Sequence, residues 1–339
     1  MKKFFPDSHG RLTVLAIVLI LVFSGCGNGT GNKKKVSISE KTRTVQVPDF
    51  NEDSAWHYLV KQIEFGPRIP ETRPWSECAE WMKGLLDNWC DTAIVQQYES
   101  RLWDGRVANG KNIIGIFNPG KSKRIMLCAH WDSREFADHD PDPAKRNQPV
   151  PGANDGASGV AVLLELARIM NALPPSVGVD LVLFDLEDQG PPQDKQQRTE
   201  TSWWGLGSQY WSHNPHQQGY FANYVVLLDM VGTRDAVFTM EGFSMYYAPD
   251  VVKKVWQAAR HAGYGSFFPY EQGTWIDDDH KNINEIIKLP AIDIIHLDPN
   301  SVNGTFFDYW HTTEDTPDKL NKESLKAVGQ TLAWLLYHE

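Results

Sequence analysis

Four short segments place histidine and carboxylate side chains at the ends of apolar runs or beside them: His130-Trp131-Asp132-Ser133, Asn154-Asp155-Gly156, Glu187-Asp188 and Trp310-His311-Thr312. Imidazole nitrogen and carboxylate oxygen are donors that hold zinc, and three protein ligands with a fourth position open mark a catalytic zinc. Two adjacent carboxylates can divide the work, one binding metal and the other moving protons. Each segment alone has a plainer reading. Asp155 lies in a loop of small residues entering a helix, where a capping Asp is common. Glu187-Asp188 fits a solvated turn, and a lone His such as His311 is more often core or surface than ligand. Their joint order along the chain points to a metal-dependent hydrolase or transferase.

Such ligands must be brought together by a sheet. Arg124 to Ala129, Val179 to Phe184, Tyr224 to Leu228 and Ile292 to Leu297 are mostly apolar and continuous, as strands buried on both faces should be. Asn112 to Ile116 is a weaker fifth. Gly159 to Leu173 lies between the first two, with Val162, Leu163, Leu166, Ile169 and Met170 at helical spacing. Strand, helix and strand in succession predict a right-handed crossover and a mostly parallel sheet. The expected fold is a single α/β domain, its mostly parallel central sheet covered by helices on both faces. The carboxyl ends of its strands would then open on one crevice. Two further helices are expected, Ser54 to Glu64 and Trp75 to Trp89.

Composition narrows the function. Of 339 residues, 41% are hydrophobic, ample for a large core, and several of the 13 Trp stand beside the motifs rather than in apolar runs. The net charge of −10 and the lack of a basic stripe argue against nucleic acid as a partner. A monomer is expected.

Residues 1–25 read as a secretory signal: Lys2, Lys3 and Arg11 precede an apolar run from Leu12 to Phe23, followed by Ser24-Gly25-Cys26. A Cys after Ser-Gly resembles the lipobox of bacterial lipoproteins, which implies a lipid on Cys26 and an envelope location facing the periplasm or the cell surface. Ordinary cleavage and an uncleaved anchor are the alternatives. Residues 26–47, polar and without apolar period, would be a tether, and residues 48–339 the catalytic domain. Cys78, Cys90 and Cys128 form no Cys-x-x-Cys pair, so a thiolate metal site is not expected. Cys78 and Cys90 fall twelve residues apart on one expected helix, too far along its axis to bridge.

A longer series of motifs carries a resemblance. It runs from Phe65-Gly66-Pro67-Arg68 through His130-x-Asp132-Ser133 and Gly152-Ala153-Asn154-Asp155-Gly156-Ala157-Ser158-Gly159 to Glu187-Asp188. It continues with Leu228-Asp229, Asp278-Asp279-His280 and His311-Thr312-x-x-Asp315-Thr316. From about residue 50 to its end the chain resembles the co-catalytic zinc aminopeptidases. More narrowly, it resembles the animal-type glutaminyl cyclases that share their fold. Asp188 where the peptidases usually carry a second Glu, Trp310 before His311, and Trp203 and Trp204 in the segment Gln189 to Trp204 favour the cyclase.

The resemblance implies zinc held by Asp155, Asp188 and His311, with Glu187 as the proton-transferring base. It implies Asp278, and behind it Asp229, as groups that hydrogen-bond this relay, the run Asp277-Asp278-Asp279 leaving the register open by one. Trp310 with Trp203 or Trp204 would form the slot for an N-terminal glutamine. The expected reaction converts the N-terminal glutamine of a peptide or protein to pyroglutamate and releases ammonia. One zinc is expected; His130, Asp132 and Asp229 would support it or complete a second site, as in the peptidases. A zinc aminopeptidase is the alternative, with Glu187 activating water. An inactive binding lipoprotein is disfavoured, because every ligand position and the base are filled.

Overall fold

The apolar runs become the centre of a six-stranded mixed sheet in the computed structural model, which describes residues 45–196 and 202–339. The expected signal with Cys26, all of the expected tether except residues 45–47, and residues 197–201 of the Trp-bearing segment lie outside the described residues.

In chain order the elements are α1 (Glu52–Phe65), α2 (Arg73–Trp89), β1 (Thr92–Arg101), β2 (Val107–Phe117), β3 (Arg124–His130), α3 (Ala157–Ala172), β4 (Gly178–Phe184) and α4 (Leu206–His213). They continue with β5 (Tyr224–Asp229), α5 (Gly242–Tyr247), α6 (Pro249–His261), α7 (Asp279–Asn282), β6 (Ala291–Ile295) and α8 (Lys322–Tyr337). Strand order is β1-β2-β4-β3-β5-β6. The β4-β3-β5-β6 pairings are parallel, and the β1–β2 hairpin joins β4 antiparallel.

Three expected helices are present, and side-chain caps set the starts of two of them. The Asn51 side chain accepts from Ser54 N and begins α1 at Glu52, and Thr72 caps α2 so that it begins at Arg73. The expected strand from Ile292 stops at Ile295, and His296 instead makes an isolated bridge with Phe238. β1 was not expected. Its residues are mostly half-buried or exposed and include Gln96, Gln97 and Glu99, as befits an edge strand without an apolar run.

Period-two alternation feeds two cores from the same strands. Ile125, Leu127, Val179, Leu181, Val226, Leu228 and Ile292 pack on one face with α1, α2, α3, α6 and α8. Met126, Cys128, Val182, Phe184, Val225 and Leu227 pack on the other with Trp211 of α4 and Ile283. Helices therefore cover both faces. Cys78, Cys90 and Cys128 are free, and burial pushes the Cys78 and Cys90 thiols up to about 12.

Candidate active site

His130 is the last residue of β3, Asp229 the last of β5, and Glu187 and Asp188 follow β4, so three parallel strands deliver side chains to one crevice. Asp155 arrives from the loop before α3. Gly156, with φ 99°, makes the turn there; a Cβ on it would lie 2.5 Å from the Asp132 carbonyl oxygen. No side chain caps α3, so Asp155 is not the capping Asp of its plainer reading. Its carboxylate faces two imidazoles, 3.1 Å from His130 Nε2 and 3.6 Å from His311 Nε2.

Two overlapping triads result. In one, the His311, Asp188 and Asp155 ligand atoms lie within 4.8 Å of one another; in the other, those of His130, Asp155 and Asp229 do. His311 Nε2 stands 3.1 Å from Asp188 Oδ1, and His130 Nε2 3.2 Å from Asp229 Oδ1. Each far nitrogen meets a carboxylate: His311 Nδ1 is 3.4 Å from Asp138 Oδ1, and His130 Nδ1 is 3.5 Å from Asp132 Oδ1. For His311, a proton held on Nδ1 toward Asp138 leaves the Nε2 lone pair aimed at the triad, as a metal-binding histidine requires, whereas His130 Nδ1 makes no hydrogen bond. Two carboxylates and an imidazole in each triad form a donor set that fits zinc.

The backbone is bent to make these placements. Leu186 before the acidic pair, Met230 after Asp229, and His311 itself have φ of 57°, 47° and 54°. Such left-handed conformations at non-glycine residues cost free energy and cluster at ligand clamps. The surrounding structure fixes them. Asp132 accepts from the amides of Glu187 and Asp188 at 3.1 and 3.2 Å and from Gln189 Nε2 at 2.9 Å, so it braces the acidic pair. Asp315 accepts from the Asn154 and Asp155 amides at 2.8 and 3.1 Å. The buried Arg68 guanidinium donates to the carbonyls of Trp131, Pro151 and Gly152 at 2.9, 2.8 and 2.6 Å. Arg134 donates to both Asp138 oxygens at 2.7 and 2.8 Å and to the Asp188 carbonyl at 3.0 Å.

Glu187 belongs to neither triad and lines a cavity of about 400 Å³. Burial, with Asp278 and Asp188 nearby, holds its carboxyl well above the usual range against the pull of His130. Asp278 lines the same cavity with one oxygen unpartnered, and burial beside Asp229 lifts it to about 7. Burial likewise lifts Asp229 to about 6. Of the run at 277–279, exposed Asp277 pairs with Lys281 at 2.7 Å, and fully buried Asp279 is not among the lining residues. Asp278 is therefore the one buried member that faces the cavity.

Trp204, Phe306 and Trp310 wall the cavity, and Met230 and Ile276 also line it. Trp204 lies parallel to the His311 ring at 6.2 Å under the Arg134 guanidinium at 4.8 Å, and Phe306 packs on Trp310 at 4.7 Å. Trp203 is not among the lining residues. Sequence reasoning passed over Phe306, Met230, Arg134 and Asp138. Only the aromatic run Phe306-Phe307-Asp308-Tyr309-Trp310 could have signalled the first.

Residues 112–336 match the profile of Peptidase family M28. Among solved structures, Bacteroides thetaiotaomicron glutaminyl cyclase bound to N-acetylhistamine is 45% identical, covers 87% of this chain and 100% of its own, and superposes with a TM-score of 0.84. A Zn-dependent exopeptidase from Parabacteroides distasonis is 43% identical with the same coverages and a TM-score of 0.84. Aminopeptidase YwaD of Bacillus subtilis is 27% identical over 72% of this chain, and the matched segment spans 48% of that protein, about half its length. The chain belongs to Peptidase family M28.

Proposed function

We propose that this protein is a zinc-dependent glutaminyl-peptide cyclotransferase, acting on peptides and proteins with N-terminal glutamine. The observation that carries the reading is the cavity itself: Glu187, free of both triads, faces a slot walled by Trp204, Phe306 and Trp310. Such a slot suits a flat carboxamide side chain and keeps bulk water away. The similarity to a solved bacterial glutaminyl cyclase supports it.

Asp155, Asp188 and His311 would hold the zinc, whose Lewis acidity toward the γ-carbonyl of glutamine supplies part of the rate. Glu187 takes a proton from the substrate's α-amine as that nitrogen bonds to the γ-carboxamide carbon. The bond from that carbon to the amide nitrogen then breaks, and Glu187 returns the proton to the departing ammonia. Its carboxyl, held above the usual range by burial, suits a group that must both accept and release a proton. Asp278 offers its unpartnered oxygen to the amine, with Asp229 behind it. The aromatic walls hold the side chain folded toward its own amine, so attack is intramolecular and gains from proximity.

The His130, Asp155 and Asp229 triad favours a second reading, an aminopeptidase with two metals in which Glu187 activates water. Fluorogenic glutaminyl and leucyl amides separate the two. A cyclase releases ammonia from the glutaminyl amide and leaves the leucyl amide intact; rapid leucine release without pyroglutamate would promote the peptidase. The sequence further supports an envelope location through a lipid on Cys26. Cys26→Ala should move the protein from the membrane to the aqueous fraction, and unchanged membrane retention would contradict the anchor.

A further inference from the structure

The cavity's rim continues into an aromatic surface that the reaction does not use. Trp275 lines the cavity yet is 54% exposed, and Tyr246, 6.1 Å away ring to ring, is 68% exposed. An exposed Trp is usually mobile; this one is seated. Its indole lies against the backbone of Gly242, where a Cβ would come within 2.6 Å of the ring. Phe243 meets it edge-on at 4.9 Å, and Tyr246 meets Tyr247 edge-on at 4.8 Å.

The seat is tied to the interior. Gly242 N donates to Thr274 O at 2.8 Å, and Ile276 N donates to Glu241 Oε1 at 2.9 Å. Fully buried Glu241 also accepts from Phe243 N and Ser244 N at 2.8 and 2.7 Å and meets His280 Nε2 at 3.0 Å. Both residues flanking Trp275 are thus held by α5 and its cap. A rigid, half-exposed aromatic surface loses little entropy when it is covered, which suits it to recognition. It is continuous with the cavity through Trp275, so a chain leaving the slot on that side would pass over it.

We propose that Trp275 and Tyr246 form a subsite for the residues that follow the N-terminal glutamine, Trp275 for the second and Tyr246 for the third, with preference for apolar or aromatic side chains. The subsite rests on the cyclase reading and adds the substrate class to it: peptides whose second residue is large and apolar.

The test compares kcat/KM of the zinc-loaded full chain on Gln-Phe-Ala and Gln-Gly-Ala by ammonia release. The Phe peptide should be faster by about ten-fold, mostly through KM. Trp275→Ala should lose most of that ratio, falling far more on the Phe peptide than on the Gly peptide. Gly242→Ala, which displaces the Trp275 indole without changing its chemistry, should do the same, and Trp275→Tyr should restore part of it. Equal wild-type rates on the two peptides, or equal losses on both in Trp275→Ala, would overturn the subsite while leaving the cyclase intact. Equal rates with dimerisation abolished by Tyr246→Ala would assign the surface to a second copy and overturn it too. No ammonia from either peptide would overturn the cyclase reading and the subsite with it.

Discussion

Replacing Asp138 by Asn keeps the shape of the side chain and removes one charge from behind the Asp155, Asp188 and His311 triad proposed to hold zinc. The Asp138 carboxylate accepts from Arg134 Nε and Nη2 at 2.7 and 2.8 Å and from Gln193 N at 2.8 Å, and it stands 3.4 Å from His311 Nδ1. Burial works to raise its pKa, but the Arg134 and His311 contacts hold it far below the usual carboxylate range. It is therefore charged throughout the working range. Two losses follow. Removing one partner of a buried ion pair costs about 3–5 kcal/mol, and since the amide oxygen still accepts one Arg134 bond, the Asn variant should lose about 2–3 kcal/mol. For a domain of this size that lowers the melting temperature of the zinc-free protein by roughly 3–5 °C. The second loss is in the metal. Without the carboxylate, His311 is free to place its proton on Nε2, and zinc affinity should fall about 10–100-fold. Chelator competition reads the second loss and melting of the zinc-free protein reads the first. Unchanged zinc affinity would refute the role of Asp138 in orienting His311; an unchanged melting temperature would show that Arg134 does not depend on this pair.

Glu187→Gln should lower turnover about 10²–10⁴-fold with zinc content unchanged, measured by atomic absorption beside the activity assay. Zinc loss in that variant would instead exchange the roles of Glu187 and Asp188. His311→Ala should lose tightly held zinc and activity together, and full zinc occupancy would defeat the assignment. In Gly329→Ala the added methyl meets the Phe50 ring, where α8 packs against the segment before α1. The cost should be about 1–3 kcal/mol in urea unfolding, and an unchanged midpoint would show that this contact yields without strain.

The strands of the parallel core were legible because burial on both faces demands unbroken apolar runs, as in Met126 to Ala129 and Val225 to Leu228. His130, Asp229 and the pair Glu187-Asp188 were legible as neighbours in one crevice because each sits at or just beyond the end of such a run, whereas Asp155 and His311 stood out by their motifs alone. β1 was not, since an edge strand with Gln96, Gln97 and Glu99 carries no continuous apolar signal. Nor could periodicity separate Trp203 from Trp204, or Asp278 from its neighbours. Adjacent residues in a loop have no fixed facing, and Leu186 and Met230 adopt left-handed backbone that no pattern announces. Arg134 and Asp138 were missed for a related reason. Their spacing of four looks like an ordinary surface ion pair, whereas the structure buries the pair against His311 and Asp188.

In the proposed reaction the substrate's own amine, and not water, attacks in the slot beside Glu187. Mass spectrometry of an unlabelled peptide with N-terminal glutamine, incubated with the zinc-loaded protein, tests it most directly. The product should be lighter by one ammonia with every residue still present, formed at the rate at which ammonia appears. A product shortened by its first residue, with free glutamine in solution, would contradict it.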